Sequence, residues 1–171
     1  MKRLNTLRRR RGSAMVEFVI AGIAGTTLMI STVQLALAMW NYHTLAQAVH
    51  ETNRYVASHG RGCIGGNNCT ITVGDVMTKM KSLAVGISDS DLNVTLSTST
   101  QTKQCFPISS YYADGMQWPP NDNFDNSPGN PTTISAKLVV KSTIVQMWYG
   151  VQGQRRNTIA MTSTSSVPIV F

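Results

Sequence analysis

The hydrophobic pattern changes period several times along the 171 residues. From Phe18 to Trp40 there is no charged residue. At about 1.5 Å of rise per residue a helix of that length spans roughly 35 Å, enough to cross a bilayer core of about 30 Å with some tilt. Beyond it the composition changes but the helical period persists. Tyr42, Leu45, Val49, Thr52 and Val56 recur at spacings of three and four, while Gln47, His50, Glu51 and Arg54 fall on other faces. The pattern predicts one helix that starts near Ser13, crosses the membrane, continues as an amphipathic stalk and stops at Gly60 and Gly62.

A second helix is predicted over Thr72 to Gly86. Thr72 and Asp75 make a capping-box-like start, and Gly86 supplies the stop. Val76, Met77, Met80, Leu83, Ala84 and Ile87 form its apolar face. Leu92, Val94 and Leu96 then alternate with Asn93, Thr95 and Ser97, as in a half-buried strand. Residues 101–133, with Pro107, Pro119, Pro120, Pro128 and Pro131, read as a long loop with aromatic islands at Tyr111, Tyr112, Trp118 and Phe124. Such a loop is pinned to the core by its aromatics or faces a partner. Ile134–Tyr149 and Arg155–Val170 are β-branched strand candidates around a turn at 150–154. The expected fold is α+β, with an antiparallel sheet of about three strands carrying the helices on one face.

Charge refines this picture. The formal net charge is +7, but Lys2, Arg3 and Arg8 to Arg11 supply six of the 15 basic residues, which leaves nine against eight acidic ones after residue 12. The basic block is a topology signal and places residues 1–12 in the cytoplasm with everything after Trp40 on the far side. The remainder has no basic surface that would point to nucleic acid.

Glu17 breaks the logic of a plain anchor. A carboxylate costs about 2.5–3.5 kcal/mol at the centre of a membrane helix and less near the interface. A cut after Gly12 would make Ser13 the first residue and place its new α-amine about one helical turn from Glu17. The layout Arg11-Gly12-Ser13-Ala14-Met15-Val16-Glu17-Phe18, a basic leader closed by Gly before an apolar helix with Glu at mature position five, resembles a class 3 signal peptide of the type IV pilin superfamily. The wording, R-G-x-x-x-V-E-F followed by an apolar run and an amphipathic helix rich in Ala, is similar to the TadE-like minor pilins (pseudopilins) of tight-adherence, Flp-type pili, over about Arg10 to Ala57. That resemblance implies processing at Gly12 and Ser13 by a prepilin peptidase, assembly through Glu17 and Phe18, and a minor, tip or priming role. Its implied partners are other pilin subunits, an inner-membrane assembly platform and membrane lipid. It also implies a bacterial inner-membrane protein with a periplasmic domain, reaching the extracellular pilus on assembly. The domains are then a leader (1–12), the helix (13–60) and an extracytoplasmic domain (61–171).

Other chemistry is sparse. Cys63 and Cys69 flank a flexible loop that a disulfide would close easily, with Cys69–Cys105 as the long-loop alternative. Gly60-Arg61-Gly62-Cys63-Ile64-Gly65 matches G-x-G-x-x-G without the strand and helix that a nucleotide site needs. His43 and His50 lie seven apart with no third ligand, and Asp122 and Asp125 lack an EF-hand spacing. No G-x-S-x-G occurs. The expectation is a non-enzymatic structural subunit without cofactor or metal. The alternative is a signal-anchored extracytoplasmic binding or adhesion module that uses the aromatic loop.

Overall fold

A computed structural model of the chain describes residues 4–59, 70–121, 125–141 and 158–170. Helix α1 (Leu4–Ala57) is followed by α2 (Val73–Leu83), β1 (Leu92–Ser97), β2 (Thr102–Cys105), a 3-10 turn (Ile108–Tyr111), β3 (Pro131–Lys141) and β4 (Thr158–Pro168). The strands form one antiparallel sheet in the order β2-β1-β3-β4. The α+β class is as expected, with a fourth strand.

That fourth strand, β2, lies inside the stretch read as loop. It carries Thr102-Lys103-Gln104-Cys105, of which only Cys105 is buried, so a period-two pattern is barely visible in the sequence. Its place in the fold comes from pairing with β1 (Val94 opposite Cys105) rather than from its own propensity.

The sheet is two-faced. Leu92, Val94 and Leu96 of β1 lie opposite Leu138, Ala136 and Ile134 of β3, and all six are buried. The alternate positions carry hydroxyls in cross-strand pairs, with Thr133 Oγ1 3.0 Å from Ser166 Oγ and Ser135 Oγ 2.9 Å from Thr164 Oγ1. The apolar face shares one core with the second half of α1 and with α2, through Leu45, Val49, Val56, Val76, Met77 and Met80. Each of these side chains brings about 1.5–3 kcal/mol of burial free energy.

The predicted stripe on α1 is the packed face. Leu45, Val49, Thr52 and Val56 are fully buried, and Ala48, Asn53 and Ala57 widen the face. The helix is therefore built into the domain from Leu45 onward and is not a free stalk. It also begins nine residues earlier than the expected Ser13. Leu and Arg are good helix formers, residues 4–12 contain no proline, and one Gly costs only about 1 kcal/mol. It ends at Ala57, where Ser58 N donates to Arg54 O (3.1 Å) and Val170 N to Ala57 O (3.0 Å). Gly60 and Gly62 lie outside the described residues, as do Gly65 and the turn at 150–154.

Helix α2 starts as its sequence predicts. Thr72 Oγ1 accepts from Asp75 N at 3.2 Å, and Asp75 Oδ2 accepts from Thr72 N at 2.9 Å. The loop supplies the remaining first-turn partners, since Val73 N donates to Met116 O and Gly74 N to Asp114 O. Gly74 permits this approach: a Cβ there would sit 2.5 Å from Tyr112 O. Gly86, at φ +83, follows the helix end in a left-handed conformation.

Candidate assembly segment on the first helix

The first half of α1 has no domain around it. Met15, Phe18, Leu28 and Met29 are exposed, Phe18 at 79%, and Ala14–Ala57 is long and apolar enough to cross a membrane once. Four of its hydroxyls bond to the helix's own backbone. Thr26 Oγ1 donates to Gly22 O (2.9 Å), Thr27 Oγ1 to Ile23 O (2.8 Å), Ser31 Oγ to Thr27 O (2.7 Å) and Thr32 Oγ1 to Met29 O (2.8 Å). Each hydroxyl is satisfied by the helix's own backbone, so none carries an unpaired donor into lipid or between packed helices.

Glu17 lies one turn beyond the Gly12–Ser13 bond on this same exposed helix. Among the described residues it has no hydrogen-bond or ion-pair partner. The Gly12–Ser13 bond itself lies in helical backbone within α1. Glu17 and Phe18 are both exposed, on a stretch of α1 that the domain leaves uncovered.

Three aromatics of residues 101–133, Tyr111, Tyr112 and Trp118, pin the loop to the core. Trp118 is buried and donates its backbone N–H to Ile71 O at 2.9 Å, while Tyr111 and Tyr112 pack against the core. Tyr112 Oη donates to Asp89 (2.8 Å), which also pairs with Lys81 at 2.5 Å. The Lys81 ammonium and the Tyr112 hydroxyl hold the Asp89 carboxyl below its usual range, and burial together with Asp89 pushes the Tyr112 phenol up to about 12. Lys103 pairs with Asp114 at 2.5 Å; that bond, with the N–H of Met116, lowers the Asp114 carboxyl too. Buried Asp125 accepts from the hydroxyls of Thr98 and Thr100 and so ties the loop to the β1–β2 turn. Phe124 and Asp122 lie outside the described residues.

The histidines stand apart. His43 meets Tyr42 edge-on, His50 Nδ1 lies 3.4 Å from Ser165 Oγ, and His59 Nδ1 lies 2.6 Å from Tyr55 O at the helix end. Among the described residues no cluster of three metal-ligating side chains occurs. Cys105 is a free, buried thiol, and burial pushes its pKa up to about 11. Cys63 and Cys69 lie outside the described residues.

Residues 12–54 match the TadE-like protein family. The chain carries a TadE-like N-terminal region. The match runs from Gly12, before the Ser13–Glu17 turn, to Arg54 in the buried half of α1, and bears out the resemblance carried by Arg10 to Ala57. No curated protein and no solved structure matches the chain. The TadE-like region thus covers the exposed half of α1 and most of its packed half, while the sheet and α2 lie beyond it.

One buried residue of this region gave no signal in the sequence. Asn53 is fully buried in the packed face of α1 and donates from Nδ2 to Thr132 O (3.2 Å) and Ser165 O (2.8 Å). An Asn among helical polar residues looks solvent-facing, and only its adjacency to the Thr52 and Val56 positions hinted otherwise.

Proposed function

We propose that the chain is a minor, pilin-like structural subunit of a Tad/Flp-type pilus, made as a precursor and cut after Gly12 by a prepilin peptidase. The observation that carries this reading is Glu17: a charge without a partner among the described residues, on an exposed apolar helix, one turn from the bond whose cleavage creates an amine. In the membrane that carboxylate is a cost. In a bundle of such helices it faces the new α-amine of a neighbouring subunit. Two unit charges 4 Å apart interact by about 4 kcal/mol at an effective dielectric constant of 20. Desolvation offsets much of that, so the pair acts mainly as a register key: helices packed with the wrong axial offset leave both charges buried and unpaired, which costs about 3–5 kcal/mol.

The partners in this reading are other pilin subunits, the peptidase, an inner-membrane assembly platform and lipid. The domain acts as a rigid structural head and not as an enzyme. The N-terminal residue of the membrane form tests the proposal. Ser13 is the expected result. Met39 would mean a secretory cut after Ala36-Leu37-Ala38, and Met1 an uncut anchor; either result excludes the pilin reading.

A further inference from the structure

The sheet does not end flush. Pairing of β1 with β3 stops at Leu92–Leu138, but β3 and β4 remain paired through Val139–Ala160, Val140–Ile159 and Lys141–Thr158. A two-stranded ribbon therefore projects about 10 Å beyond the rest of the sheet, at about 3.3 Å per residue. Its direction follows from its contacts with α1. Ser165 lies beside Asn53 and His50, whereas Met161 lines an apolar notch with Ala38, Met39, Tyr42 and His43. Read back from Ser165, β4 runs toward the apolar half of α1, and the ribbon continues past the notch.

The level of that notch relative to a bilayer follows from charge. The last charged residue before the apolar run is Glu17, and the next on α1 is Glu51. Twenty residues beyond Glu17, about 30 Å of helix, reach Leu37, so Ala38–His43 fall at the far edge of the hydrocarbon. Trp40 and Tyr42, both exposed, are residues that favour that edge. Leu138 pairs with Met161 at the notch, and Val139 with Ala160 one step beyond it, so the strands carry apolar residues at this level.

We infer that the β3–β4 end of the domain, with the notch at Met161, rests in the acyl–headgroup boundary of the membrane that α1 crosses. The domain stands directly on the lipid with β3 and β4 steeply inclined to it, and is not held off on a stalk. The occupant is lipid because the notch continues the exposed apolar surface of α1 at the depth where the bilayer ends. This inference rests on α1 spanning the membrane, as in the proposed function.

The test uses the full chain with isotope-labelled methionine methyl groups, one copy per nanodisc, and a phosphatidylcholine carrying a nitroxide near the top of its acyl chain. Single Met→Leu variants assign the signals. Met161 is expected to lose intensity as strongly as Met39, while Met77 and Met80 in the core and Met116 in the loop keep theirs. Broadening of Met29 and Met39 with Met161 unaffected overturns the seat on lipid and leaves the anchor intact. Failure to broaden Met29 and Met39 overturns the spanning helix itself.

Discussion

Replacing Asn53 tests how the TadE-like helix is joined to the sheet. Its side-chain amide reaches one carbonyl of β3 and one of β4, at 3.2 and 2.8 Å from a fully buried position. Asn53→Ala removes two hydrogen bonds, each worth about 0.5–1.5 kcal/mol net, and leaves a small void. The expected loss is about 2–4 kcal/mol. Asn53→Asp retains the size but turns a donor into a buried anion facing two carbonyl oxygens, so its loss should exceed that of Ala. For a domain of this size each kcal/mol lowers the midpoint by about 3–5 °C. Cys105 is a suitable reporter: its thiol is buried and its pKa is pushed up to about 11, so it reacts only when the core opens. Pulse labelling of the full chain in detergent at stepped temperatures, read on the Cys105 peptide by mass spectrometry, gives the midpoint. An Asn53→Ala midpoint equal to that of the wild type, or an Asp variant no worse than Ala, would refute the claim that this amide ties the two layers.

Three further outcomes follow from the same contacts. Gly74→Ala should destabilise by about 1–3 kcal/mol in the same assay despite the better helix propensity of Ala, because the new methyl meets the Tyr112 backbone. Asp75, Asp89 and Asp114 are held below the usual carboxylate range, so the stability they add is present above about pH 4 and is lost as pH falls through their lowered values; Lys81→Met should flatten that acid limb by removing the first cause at Asp89. Gly12→Val should leave a membrane-inserted precursor that keeps its leader, visible by intact mass, and a normally processed product would move the cut elsewhere.

What the sequence disclosed tracks where one local rule acted alone. The stripe from Leu45 to Val56 and the Thr72–Asp75 box each follow from a single period or a single cap, and both are in the structure as read. Strand β1 was bounded at the residues expected because Leu92, Val94 and Leu96 alternate cleanly. The misses are places where tertiary contact outweighs local pattern. β2 has one buried residue and exists through its neighbour. Asn53 is polar by composition and buried by geometry. The TadE-like region was the most legible part, because its signal is a conflict within the sequence itself: a carboxylate in an apolar helix beside Gly12-Ser13.

That conflict also sets the decisive measurement. Wild type, Glu17→Ala, Glu17→Gln and Glu17→Asp are expressed at matched levels, and the share of each chain recovered in sheared pili is measured against the share retained in membranes. Without the carboxylate a neighbouring amine is left buried and unpaired, while the apolar run becomes a better membrane span. The account predicts normal cleavage and membrane retention for all four chains, near-complete loss from the pilus fraction for Ala and Gln, and an intermediate share for Asp. Wild-type incorporation of Glu17→Ala would contradict it, for the charge would then have no role in assembly.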